Sequence, residues 1–217
     1  MGPHLSQFGW ANCIRVRAFI DYLSAFLIYI RAARHVRFTD YSMNRSRHII
    51  ITGFMGSGKT TVALGLARIL CCQMLDLDHV IAEQEGRTAR EIIEQDGEDS
   101  FREIETRNLR QVLESSLPGV MALGGGAWTL ERNRNLIDQH NGVTVWLDAP
   151  FGLCWDRIIS SGGGRPLARD EAQAQMLYAA RRQQYAIAKL HVQVVGNKST
   201  DNIAAEIAEA LGLSDKQ

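Results

Sequence analysis

Metal-ligand spacing is missing from this sequence. Its four cysteines, Cys13, Cys71, Cys72 and Cys154, form no Cys-x-x-Cys pair and no Cys/His cluster. That excludes the common zinc motifs and leaves no sign of a disulfide framework. Scattered thiols of this kind fit a cytoplasmic protein, and the adjacent pair, opening an apolar segment, reads as core packing. Net charge is missing too, since 24 Lys and Arg are matched by 24 Asp and Glu. The balance is uneven: residues 1–48 carry seven Arg and two Asp, the remainder 17 basic and 22 acidic side chains. A mildly acidic body lacks the clustered cations that a nucleic-acid surface needs, so no nucleic acid is expected as partner. A membrane-spanning run is absent as well. Residues 18–30 are apolar, but Asp21 interrupts them and Arg17 and Arg31 bound them, so the stretch is too short and too charged to cross a bilayer. There is no internal repeat and no low-complexity tract.

What is present divides into two parts. Residues 1–42 read as an N-terminal extension. It is a basic amphipathic helix, an Arg-rich targeting segment, or a stretch upstream of a real start at Met43. Residues 43–217 read as one α/β domain. Apolar strand patterns at 48–52, 72–77, 119–123, 143–147 and 191–195 alternate with helical patterns. These helical patterns cover 58–70, 78–116 with breaks near Gly86 and Gly97, 130–139, 151–160, 170–188 and 200–211. Five short buried strands separated by helices predict a parallel sheet with helices on both faces. The chain leaves no room for a second domain of that size.

The most specific motif is Gly53-Phe54-Met55-Gly56-Ser57-Gly58-Lys59-Thr60, which fits the phosphate loop G-x-x-x-x-G-K-[ST] between a strand and a helix. Its glycines let backbone N–H groups turn toward phosphate oxygens, and the helix start adds free amides and a positive dipole. Lys59 is placed to reach the β- and γ-phosphates, and the Thr60 hydroxyl to ligate Mg²⁺. Such a loop predicts ATP binding without identifying the acceptor. The second strand ends Leu75-Asp76-Leu77-Asp78. In an extended segment both carboxylates face one way, toward the phosphate loop, one for magnesium and one for an attacking hydroxyl. The bland alternative is a solvated turn with a helix N-cap. Gly124-Gly125-Gly126 follows the third strand and opens backbone N–H groups to a small polar ligand, or is a flexible turn. Arg102 and Arg181 lie on helical segments, where a lone Arg is most often solvated. Ser161-Gly162-Gly163-Gly164-Arg165-Pro166-Leu167 joins a Gly-rich hinge to a cation, which suits a mobile lid closing over phosphates or a surface loop.

Taken in order along residues 48–212, these pieces resemble the shikimate kinases. The resemblance implies a P-loop kinase fold with a five-stranded parallel sheet and a mobile lid. It implies transfer of the ATP γ-phosphate to the 3-hydroxyl of shikimate, with Mg²⁺, in the pathway to aromatic amino acids. Carried over position by position, it assigns nucleotide contacts to Gly56, Ser57, Gly58, Lys59, Thr60, Thr61, Arg157 and Arg165. Lys59 and Arg165 stabilise the transferring phosphoryl group, and Thr60 and Asp76 serve magnesium. Asp78 touches the shikimate hydroxyls and is the candidate base. Arg102 and Arg181 grip the carboxylate, with Gly124, Gly125 and Gly126 beside them. The expected state is a monomer with a small-molecule substrate and no membrane. The chain departs from the family pattern at Ile93, at Ala168, and at Arg182-Gln183-Gln184. Two alternatives remain at this level: a kinase for another hydroxy acid or polyol such as gluconate, and a non-catalytic nucleotide-binding regulator. Paired arginines with an Asp-x-Asp and a glycine triplet favour a cyclic hydroxy-carboxylate.

Overall fold

The computed structural model describes residues 47–114, 119–161, 170–196 and 198–213. The N-terminal extension and most of the segment expected to form a lid, including Arg165 and Ala168, lie outside the described residues.

Ile49–Thr52 (β1) is the sheet's centre. Ile50 and Ile51 are wholly buried, and each such side chain contributes about 1.5–3 kcal/mol on leaving water. Around β1 lie Gln73–Asp76 (β2), Gly119–Ala122 (β3), Val143–Asp148 (β4) and Leu190–Gln193 (β5). The sheet order is β2-β3-β1-β4-β5, and every pairing is parallel. Parallel strands need crossovers, and helices supply them. Chain order therefore reverses direction on either side of β1, and in such sheets the ligand crevice opens at the carboxyl end of that switch point.

The helices start and stop where side-chain chemistry dictates. Lys59–Ile69 (α1) begins at Gly58, whose φ is 96°. Leu77–Glu85 (α2) is capped by the Asp76 side chain, which accepts from Asp78 N, and ends at Gly86 in the left-handed region. Ala89–Asp96 (α3) opens with a reciprocal capping box between Thr88 and Glu91 and stops at Gly97. Glu98–Glu114 (α4) follows at once. The long helical stretch expected after β2 is therefore three helices, divided at the two glycines the pattern marked. A single 3₁₀ turn, Ala127–Thr129, precedes Glu131–Gln139 (α5). Phe151–Ser160 (α6), Glu171–Tyr185 (α7) and Thr200–Ala210 (α8) complete the described chain, with Asp170 and Ser199 capping the last two.

Two local expectations need correction. Leu77 does not extend β2. It starts α2, because the Asp76 carboxylate draws the next amides into a helical turn. The adjacent cysteines are not both core. Cys72 packs against the core, but Cys71 is exposed, with φ 48° in the turn that ends α1. Among the described residues no helix is long and apolar enough to cross a membrane.

Candidate active site

The phosphate loop joins β1 to α1. A Cβ on Gly56 would stand 2.5 Å from the Cys154 carbonyl oxygen, and the residue has φ 77°, so neither space nor backbone admits a side chain. Lys59 Nζ donates to Phe54 O at 3.0 Å, which folds the ammonium back over the loop. Ser57 is 1% exposed, and its hydroxyl has no hydrogen-bond partner among the described residues. Thr61, one position into α1 from Thr60, is exposed. Arg157 on α6 donates to Gly56 O at 3.1 Å. Its guanidinium thus reaches the loop from a helix remote in sequence.

Thr60 Oγ1 donates to Asp76 Oδ2 at 2.7 Å. Both groups offer oxygen, the donor preferred by a hard divalent cation that keeps waters and phosphate oxygens as its other ligands. The pair therefore fits magnesium. Asp76 also caps α2 through Oδ1, 3.1 Å from Asp78 N. The two aspartates are thus not alternate residues of one extended strand. One caps the helix, the other sits in its first turn, and the capping reading and the metal reading describe the same side chain.

The glycine triplet lies where several elements meet. A Cβ on Gly124 would stand 2.7 Å from Asp78 Oδ1 and 3.0 Å from Glu105 Oε1. A Cβ on Gly126 would overlap the Arg102 guanidinium. The absence of side chains here lets two carboxylates and a guanidinium close on the same short loop. From α7, Arg181 Nη1 and the Tyr185 hydroxyl both donate to Gly125 O, at 3.2 and 2.5 Å. Burial pushes the Tyr185 hydroxyl up to about 12, so it stays a donor at any ordinary pH. Arg102 donates to Glu105 Oε2 at 2.8 Å and to Glu98 Oε1 at 2.9 Å, with 11% of its side chain exposed.

Glu105 is the residue that sequence reasoning undervalued. It is completely buried, and Oε1 has no hydrogen-bond partner among the described residues. Burial raises its carboxyl above the usual carboxylate range and the Asp78 charge adds to this, while Arg102 and Arg181 pull the other way. Burial alone would lower the Arg102 guanidinium, but Glu105 and Glu98 outweigh it and the net shift is upward. The available signal was its spacing: three residues after Arg102, it shares one helical face with it.

Lys59, Thr60 and Asp76 therefore gather at the phosphate loop, and Asp78, Arg102 and Arg181 around the glycine triplet. Gly125 joins the two, since a Cβ there would meet Met55 N of the phosphate loop at 3.5 Å. Arg165 lies outside the described residues. Arg182, a departure from the family pattern, forms no part of this cluster. It pairs with Asp148, at 2.5 and 2.8 Å.

The shikimate kinase family model matches residues 55–212. A shikimate kinase of Ruegeria pomeroyi is 37% identical over 166 residues, covering 75% of this chain and 84% of the relative. That of Lactococcus lactis is 38% identical over 168 residues, covering 76% of this chain and 99% of the relative. Among solved structures, shikimate kinase from Acinetobacter baumannii in complex with shikimate superposes with a TM-score of 0.72 at 30% identity. That likeness covers 81% of this chain and 98% of the other.

Proposed function

The chain belongs to the shikimate kinase family, and from that premise we propose the role of each residue in phosphorylating the 3-hydroxyl of shikimate. The family is one of kinases, phosphotransferases with an alcohol acceptor, and ATP is the co-substrate. The observation that carries the assignment is the convergence of Arg102, Arg181, Asp78 and Glu105 on Gly124–Gly126 beside the phosphate loop. A cyclic acid with several hydroxyls needs that set: guanidiniums for a carboxylate, a carboxylate for hydroxyls, and bare backbone for close approach.

In this reading Lys59 leaves Phe54 O to hold the phosphate oxygens, and the amides of Gly56, Ser57 and Gly58 line the same groove. Asp78 orients the acceptor hydroxyl. As the new bond forms from the 3-oxygen to the γ-phosphorus, the bond from that phosphorus to the β,γ-bridging oxygen breaks. The hydroxyl proton passes to the Asp78 carboxylate, and ADP leaves with the bridging oxygen. Arg102 and Arg181 take the acceptor's carboxylate, and Glu105 keeps Arg102 in place. Thr60 and Asp76 would hold magnesium, which supplies charge neutralisation at the β- and γ-oxygens when bound. Arg157 borders the nucleotide, and Arg165, outside the described residues, is assigned to the phosphates by the family resemblance. Residues 43–217 constitute the kinase domain, acting as a cytoplasmic monomer.

Release of ADP in the presence of ATP and magnesium, measured over a panel of shikimate, gluconate and nucleoside monophosphates, tests the reading. Shikimate is expected to support turnover and the others to remain at background. Preference for gluconate or a nucleotide would overturn the acceptor assignment. No turnover on any acceptor by the folded protein would favour a non-catalytic regulator.

A further inference from the structure

Arg182, one of the residues departing from the family pattern, is fixed on α7 next to Arg181. Its guanidinium spans Asp148, which is 5% exposed, with two hydrogen bonds of 2.5 and 2.8 Å. It also donates to the Tyr178 hydroxyl at 2.8 Å, and Tyr178 in turn donates to Ala149 O at 2.9 Å. Gln193, at the end of β5, donates to the second Asp148 oxygen at 2.8 Å. The guanidinium lies over the Trp146 ring, 5.1 Å from its centroid. Asp148, Ala149 and Gln193 lie at or beyond the carboxyl ends of β4 and β5. One flank of α7 is therefore fastened to the sheet's far half.

Its other flank makes the acceptor-side contacts. Arg181 and Tyr185 reach Gly125 O, and Trp128 Nε1 donates to Gln184 O at 2.9 Å. Arg181 and Arg182 are neighbours in sequence, so about 100° separates them around the helix axis. A rotation of α7 that moves one must move the other. A bidentate guanidinium–carboxylate pair restrains rotation in a way a single contact does not, because both N–H groups must stay in line with both oxygens.

We infer that the Asp148–Arg182 pair is a positioning device for acceptor binding: it sets the rotation of α7 and so aims Arg181 at the acceptor. This rests on the proposal that Arg181 grips the acceptor's carboxylate. The phosphate loop hangs from β1 and α1 and meets α7 through Phe54, whose ring packs edge-to-face on Tyr178 with centroids 5.2 Å apart. Tyr178 keeps its own bond to Ala149 O when Arg182 is lost, so nucleotide binding is expected to change little.

The test compares KM for shikimate, KM for ATP and kcat in the parent, Arg181→Ala, Arg182→Ala and the double variant, with thermal unfolding of each. Arg182→Ala is expected to raise the shikimate KM about tenfold, less than the roughly hundredfold loss that a full ångström of misplacement can bring. The ATP KM stays within about twofold. Arg182→Lys, which keeps the charge but not the fork, falls between. In the Arg181→Ala background, Arg182→Ala adds nothing further, because there is no guanidinium left to aim. Should Arg182→Ala not fold, Asp148→Asn and Arg182→Lys make the same comparison. Three outcomes overturn the inference: an unchanged shikimate KM, a parallel rise of both KM values with lost stability, or the same factor in both backgrounds. If Arg181→Ala itself leaves shikimate binding intact, the assignment of Arg181 fails, and the inference with it.

Discussion

Replacing Arg102 by alanine separates holding the fold from holding the substrate. In the parent, Arg102 donates to Glu105, which is fully buried and 2.8 Å away, and also meets Glu98. Removing one partner of a buried pair costs about 3–5 kcal/mol. Glu105 can relieve part of that by taking a proton, so the lower figure applies. Glu98 is half-exposed and adds little. A domain of this size loses about 2–4 °C in Tm per kcal/mol, so Arg102→Ala should melt about 6–12 °C below the parent. Its shikimate KM should rise about thirtyfold, equivalent to about 2 kcal/mol, the low end for truncating one partner of a desolvated charge pair. In the proposed complex Arg181 remains to hold the ligand's carboxylate. The informative variant is Arg102→Ala combined with Glu105→Gln. With the buried charge gone, Tm should recover by roughly half, while the shikimate KM stays high. The assay is coupled ADP release across shikimate concentrations, beside calorimetry or circular dichroism melts. Recovery of KM in step with Tm would refute the reasoning and make Arg102 a structural residue only.

The two aspartates should also separate. Asp76→Asn should raise the magnesium concentration for half-maximal rate, whereas Asp78→Asn should impair shikimate turnover with little change in magnesium demand. Like responses in magnesium titrations of the two variants would void the division of labour. Glu105 predicts a pH dependence. Its carboxyl lies above the ordinary 4.5 because burial disfavours the charge. The folded state therefore binds its proton more tightly than the unfolded chain. The resulting stabilisation is complete below pH 4.5 and is lost as pH rises through the folded-state value. The Tm of the parent minus that of Glu105→Gln should fall as pH is raised from 4 to 7. A difference that grows instead would mean that Arg102 and Arg181 overcome burial.

Most of the fold was legible because it depends on local pattern. Ile49–Ile51 and Val143–Leu147 read as buried strands, and Gly86 and Gly97 marked the helix breaks that the structure has. The phosphate loop was legible from spacing alone, since a strand-to-helix turn with those glycines has one known use. Asp78 and the glycine triplet could be marked from the residues, but the meeting of Arg102, Arg181 and Gly125 was legible only through the family resemblance, because the three are far apart in sequence. Nothing local to an exposed-looking helical Arg tells that it is 8% exposed and bonded to a distant carbonyl, as Arg181 is. Glu105, beside Arg102 on the same helical segment, gives no local sign of its burial either, and its meaning lies in that burial. Asp148 and Arg182 could not have been paired at all, since the contact follows from the packing of α7 across the ends of β4 and β5.

Arg102 arrives at the glycine triplet on the connection between β2 and β3, and Arg181 on the connection between β4 and β5, with β1 between them. In the proposed complex, a ligand held by both arginines ties together two stretches of chain that otherwise meet through the sheet and the glycine triplet. At a hundred times its dissociation constant, such a ligand adds about 2.7 kcal/mol to the folded state. That is as large as many harmful mutations. The substrate would then act as a folding partner for its own enzyme. In a cell where the acceptor is plentiful, variants weakened on either flank would persist, and their defect would surface only when the acceptor ran short.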